Sequence, residues 1–275
     1  MLSRAFLAGL GAVLVTSLAA QAGETPWVRT QGADVRLVSG AVVDGKLEAG
    51  VEIRLAPGWK TYWRYPGDSG VPPRFDWTGS RNMRTADVAF PAPRRFSDGA
   101  SGHSIGYKGG TVIFPVTVTL EAPGKATRLD LALDFAVCDT LCVPAQAQMS
   151  LEVTAGASEA NAALAAARAK LPAPAPMGQA GLGVVSFTVD RASKPAVLEV
   201  VANTRSDKPD LFAEGPTDAW ALPLPARQAL GDGRTRFTLP LDGLPTDARW
   251  QGATLSLTLV DGADAVVTAV PLPTD

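Results

Sequence analysis

The sequence predicts an all-β chain: two β-domains joined by a short helix and a proline-rich linker. Three observations carry that expectation. Apolar and polar residues alternate with period two from Val35 to about Val153, and again beyond residue 180. The composition, with 27 Gly and 22 Pro in 275 residues, suits strands joined by turns. The one Ala-rich stretch of helix formers, Ser158 to Lys170, is short and is broken by Pro172, Pro174 and Pro176.

The N-terminus reads Met1-Leu2-Ser3-Arg4, then an apolar run from Ala5 to Ala20, then Ala20-Gln21-Ala22 before Gly23-Glu24. One basic residue, a short apolar stretch and small residues spaced Ala-x-Ala predict a secretory signal peptide over 1–22, cleaved after Ala22. A membrane anchor needs about twenty apolar residues. This run is shorter, and no later stretch approaches that length. The mature chain is therefore expected to be exported, to the periplasm in a bacterium, and not itself to span a membrane. Losing Arg4 from a leader without acidic residues takes the formal charge from −2 to −3. So mild a balance makes no electrostatic case for nucleic acid or anionic lipid.

Residues 23–155 read as the first β-domain. Val51, Ile53 and Leu55 alternate with Glu52 and Arg54, and Val112, Phe114, Val116, Val118 and Leu120 alternate with Ile113, Pro115, Thr117 and Thr119. These are half-buried strands of an antiparallel sheet. Leu129, Leu131, Leu133, Phe135 and Val137 then share one face, which turns Cys138 outward with Asp130 and Asp134. After Asp139-Thr140-Leu141 the pattern resumes. Val143, Ala145, Ala147, Met149 and Leu151 are apolar, and Cys142 lies on the other side with Gln146 and Gln148. A three-residue hairpin loop would set the two cysteines opposite each other, about 4.5 to 5.5 Å apart at Cα and within reach of a disulfide. A continuous strand would hold them roughly 13 Å apart. The pair is thus expected to be bondable, outside the main core and accessible to a partner's thiolate.

Cys138 and Cys142 are the only cysteines in the chain, and in an exported protein such a pair is a staple or a reagent. Closing a loop of about five residues stabilises a fold by roughly 2 kcal/mol, against about 4 to 5 for a loop of a hundred. A chain of this length also has no need of covalent help for its core. Redox or metal chemistry is the stronger reading, with a structural bridge and an inert thiol pair as alternatives. Asp134 and Asp139 would raise a thiol pKa, and no Lys or Arg lies between the cysteines, which suits a carrier attacked in its oxidised form.

His103, the single histidine, sits in the Gly- and Ser-rich stretch from Ser97 to Ser104, where it either tunes the cysteines or is a solvated loop residue. Tyr62, Trp63 and Tyr65 fall in the dense segment Gly58 to Gly70, as a docking surface or as aromatics packed over the rim of the domain. The chain shows no zinc-type cluster, phosphate-binding Gly loop or serine-hydrolase elbow, and no Cys-x-x-Cys in a βαβ pattern. No cofactor is expected.

Residues 156–179 read as helical connector and stiff linker. A second β-domain follows over 180–275, with Leu198 and Val200 on one face, then Phe237, Leu239 and Leu241, then Leu255, Leu257 and Leu259. It contains no Cys or His. Trp220 and Trp250 read as core or edge aromatics, and the domain as a rigid interaction or spacer module.

Several motifs together carry a family resemblance: Gly58-Trp59-Lys60-Thr61-Tyr62-Trp63, Phe90-Pro91-Ala92-Pro93, Ile105-Gly106-Tyr107 leading into Val112 to Val118, and Cys138-Asp139-Thr140-Leu141-Cys142-Val143-Pro144. From about Gly58 to Val153 the chain resembles the N-terminal periplasmic domain of DsbD-type thiol:disulfide interchange proteins, in particular the ScsB-like branch, and the second domain is more loosely similar to that branch. The resemblance implies immunoglobulin-like β-sandwiches and a redox pair at Cys138 and Cys142. It also implies partners: a membrane-embedded reductase of DsbD or CcdA type, here a separate protein, and periplasmic thioredoxin-like proteins. Cytochrome c maturation and copper-stress tolerance are the processes it points to. His103 to Tyr107 falls where the family's cap loop shields the disulfide. The shielding aromatic itself aligns with Ala100 or Ser101, leaving Phe96 or Tyr107 as substitutes. Two readings compete with thiol exchange. One is a Cu(I) site made by the same two thiolates, soft ligands that select that ion. The other is a structural adaptor with a permanent disulfide.

Overall fold

In the computed structural model, residues 23–67, 70–97, 102–154 and 161–274 are described. The expected signal peptide lies outside them. The fold is nearly all β, as the alternation predicts. The first unit comprises β1 (Val28–Thr30), β2 (Ala33–Val43), β3 (Lys46–Gly67), β4 (Arg74–Asp76), β5 (Met83–Val88), β6 (Arg94–Ser97), β7 (His103–Leu120), β8 (Thr127–Cys138) and β9 (Cys142–Val153).

The first half of β3 pairs with β2 on one edge and with β7 on the other. The ladder with β7 breaks between Leu55 and Lys60, around Pro57 and Gly58. Gly58 has a φ of 87°, which a residue without Cβ adopts freely. Beyond the break, Lys60 and Thr61 pair with β7 and also with the last residues of β8. The sheet thereby curls over itself, with β8 also pairing β4 and β9. Leu37, Val51, Ile53, Phe114, Leu129 and Leu133 are fully or almost fully enclosed between its layers.

The short helix α1 (Ala162–Arg168) lies where the Ala-rich stretch predicts one, capped by Asn161, whose side chain accepts from the Ala163 and Leu164 amides. Its buried Leu164 rests on Gly50, where a Cβ would come within 2.4 Å of the leucine. The proline segment after it is not a free spacer. β10 (Ala173–Pro174) pairs in parallel with β17 (Asp264–Pro271), and the Ala175 amide donates to the Val267 carbonyl.

The second unit continues with β11 (Gly183–Asp190), β12 (Val197–Asn203), β13 (Asp210–Glu214), β14 (Ala226–Gly231), β15 (Arg234–Pro240) and β16 (Thr254–Asp261). Its sheets run β10-β17-β16-β13 and β11-β12-β15-β14. They enclose Leu198, Val200, Phe237, Leu239, Leu257 and Leu259. Trp220 is buried in this core, and Trp250 packs against it half-buried.

Candidate functional site

β8 and β9 keep an unbroken antiparallel register from Thr127 opposite Val153 to Cys138 opposite Cys142. Asp139, Thr140 and Leu141 are the exposed turn between them. The register places the cysteine Cα atoms 4.1 Å apart, joined by a disulfide.

The two sulfurs have different surroundings. Cys142 is exposed, whereas Cys138 is 1% exposed. Of the pair expected outside the main core and within reach of a partner's thiolate, Cys142 is the open member. Cys138 does lie outside the main core, as the alternation demands. However, the far end of β3 is laid along that edge of β8, pairing Lys60 with Cys138 and Thr61 with Val137. The Thr61 hydroxyl donates to the Ala136 carbonyl at 2.9 Å and fastens the crossing. Cys138, Ala136 and Tyr62 then form a small buried cluster of their own. Among the described residues β9 pairs only with β8, and its first residue, Cys142, is exposed.

Tyr62 completes the site. Its hydroxyl lies 2.7 Å from Cys138 Sγ and 3.1 Å from Cys142 Sγ, and the residue is 1% exposed. Two glycines allow this placement. A Cβ on Gly106 would stand 2.0 Å from the Thr61 carbonyl oxygen and 2.8 Å from Tyr62 Cα, and one on Gly70 would strike the Tyr62 ring at 2.5 Å. The register also brings a cation that local sequence does not show, since Lys60, itself buried, stands opposite Cys138 on the same face.

The other aromatic candidates turn elsewhere. Trp63 is fully buried against Phe212 and Ile105, and the Tyr65 hydroxyl donates to the Leu222 carbonyl. Tyr107 packs edge-on against Phe114 and donates to the Pro91 carbonyl at 2.8 Å. Burial pushes its hydroxyl well above the ordinary tyrosine range, partly offset by the Arg64 charge. Phe96 lines a groove with Pro91, Pro93, Lys108 and Ala167. His103 is half-buried at the start of β7, opposite Ser97. Positions 100 and 101, where the resemblance places the shielding aromatic, lie outside the described residues. Among the described residues no group of three or more His, Cys, Asp or Glu is arranged to hold a metal, and no helix is long and apolar enough to cross a membrane.

This arrangement leaves one sulfur of the disulfide exposed and buries the other beside the Tyr62 hydroxyl. Residues 34–155 match the family model for the N-terminal domain of the thiol:disulfide interchange protein DsbD. No curated protein sequence matches the chain. The crystal structure of the N-terminal periplasmic domain of ScsB from Proteus mirabilis is similar in fold. Its TM-score is 0.72 at 22% identity, covering 93% of this chain and 100% of that one.

Proposed function

We propose, from the match of residues 34–155 to the DsbD N-terminal family model, that this chain is a periplasmic thiol-disulfide exchange protein relaying reducing equivalents through Cys138 and Cys142. Its electron source is a membrane-embedded reductase, and its acceptors are periplasmic thioredoxin-like proteins of the kind that serve cytochrome c maturation or copper-stress tolerance. In this reading residues 23–155 form the redox domain, 156–179 the connector and 180–275 the second sandwich. The observation that carries it is the asymmetry of the disulfide, with Cys142 open and Cys138 buried under Tyr62.

The chemistry follows from that asymmetry. A partner thiolate attacks Cys142 Sγ, the S–S bond breaks, and its electron pair passes to Cys138 Sγ while the partner and Cys142 form a mixed disulfide. The partner's second thiolate then attacks its own sulfur in that bond and releases Cys142. The partner dithiol is oxidised by two electrons and the pair is reduced by two. The reduced pair runs the same steps backwards on the next partner.

The test is the reduction potential of the purified chain after equilibration across redox buffers, read by thiol mass-tagging. A potential between about −180 and −270 mV is expected for an exchange-active pair. A potential below about −300 mV would mark a structural bridge and overturn the reading.

A further inference from the structure

The strand that carries Tyr62 leaves the regular ladder of its sheet just past that residue. The ladder between β3 and β7 pairs Tyr62 with Gly106 and next pairs Gly67 with Ser104, so residues 63–66 bulge opposite the single residue Ile105. A bulged segment loses ladder hydrogen bonds and is free to bend unless something else holds it.

The second sandwich does hold it. Trp63 is 0% exposed and packs on Phe212 of β13 with ring centroids 5.9 Å apart, in a cluster joined by Ile105, Leu224 and Val260. The next residue, Arg64, stacks over Trp63 at 4.1 Å and makes a two-point ion pair with Glu214, at 2.6 and 2.7 Å. Tyr65 then donates to the Leu222 carbonyl. On β6, which pairs with β7, Arg95 forms a second two-point pair with Asp210, at 2.6 and 3.1 Å, and donates to the Pro225 carbonyl at 3.2 Å. Forked arginine–carboxylate pairs fix direction as well as distance.

We propose that the second sandwich is a positioning element for the redox pair. By gripping Trp63, Arg64 and Tyr65 through Phe212, Glu214 and Leu222, it holds the bulge so that the Tyr62 hydroxyl rests on both sulfurs. This rests on the thiol-exchange reading and assigns a task to a domain that contains no Cys or His. Side chains alternate along a strand at about 3.3 Å per residue, so the grip begins one residue from the group that touches the disulfide and on its opposite face. A spacer would make no such contacts. When Cys142 is attacked and the electron pair passes to Cys138, the Tyr62 O–H donates a hydrogen bond to the buried thiolate. Releasing the clamp lets that donor drift.

The test uses the full chain in four forms: unaltered, Glu214→Ala, Tyr62→Phe, and both together. The readouts are the rate constant for reduction of the oxidised pair by dithiothreitol and the reduction potential. Glu214→Ala is expected to slow reduction about fivefold, and the double variant to be no slower than Tyr62→Phe alone, because both changes remove one interaction. Arg64→Lys, which keeps the charge but loses the fork, is expected to show the same coupling, and Arg64→Glu with Glu214→Arg to restore the rate. Leu198→Val, inside the second core and away from the interface, is expected to lower the melting temperature without changing the rate. If Glu214→Ala and Arg64→Lys reduce at the unaltered rate, or if the double variant slows multiplicatively, the clamp is wrong while thiol exchange stands. An unaltered chain that exchanges with no thiol would remove both.

Discussion

Replacing Tyr62 by Phe removes one oxygen from the site and leaves the ring that covers Cys138 and Ala136 in place. In the oxidised protein the hydroxyl sits 2.7 Å from Cys138 Sγ, but a disulfide sulfur is only a weak acceptor. The contact becomes strong once Cys138 carries charge, when a hydrogen bond to an ionised group is worth about 1.5 to 3 kcal/mol. If about half of that charge has developed when the S–S bond breaks, the variant loses about 1 kcal/mol of transition-state stabilisation, a slowing of about fivefold. The sign for the reduced protein follows from the same bond. A donor to the thiolate favours the charged form, so its removal raises the Cys138 thiol pKa. Two assays check this: the rate of reduction by dithiothreitol, and the pH dependence of the ultraviolet thiolate absorbance. A variant that keeps the unaltered rate and the unaltered titration would refute the assignment of Tyr62 to the leaving sulfur.

Four further outcomes are expected. Gly106→Ala would drive a methyl into the Thr61 carbonyl and the Tyr62 backbone, costing about 1 to 3 kcal/mol as overpacking does and lowering the thermal midpoint. Leu141, 77% exposed beside Cys142, is placed to meet a protein partner. Leu141→Ala should therefore slow exchange with a thioredoxin-like protein and leave reduction by dithiothreitol unchanged, and equal effects on both would sink that role. Leu164→Ala should cost about 2 to 5 kcal/mol, seen as a lower denaturant midpoint, because the side chain fills the space above Gly50. Burial pushes the Asp261 carboxyl up, yet hydrogen bonds from Ser206 and Arg205 hold it below the usual range. Its contribution is present above the unfolded carboxyl pKa and is lost as pH falls through the lower folded value. Asp261→Asn should flatten that acid limb in a melting-temperature series against pH.

The alternation along β8 and β9 made the facing cysteines legible in the sequence, because strand period and hairpin register are local properties. The same pattern could not show that Cys138 is covered. That depends on β3 crossing to its edge, a contact made from 76 residues away by Tyr62. Tyr62, Trp63 and Tyr65 were recognisable as a dense aromatic segment, but adjacent letters gave no sign that Tyr62 goes to the sulfurs and its two companions to another domain. Likewise, composition could not show that the stiff proline segment pairs in parallel with β17 and that the Ala175 amide donates to Val267.

By itself the amino-acid sequence determined the all-β class, the hairpin that brings Cys138 and Cys142 together, the Ala-rich helix and the alternating faces of the second domain. These all follow from periodicity and turn chemistry within about a dozen residues. Only the tertiary structure decided which sulfur is open, which hydroxyl attends the buried one, and that Arg64–Glu214 and Arg95–Asp210 join the second sandwich to the strands beside the site. Those pairings span 150 and 115 residues, and burial and ion pairing at such separations depend on how whole sheets pack.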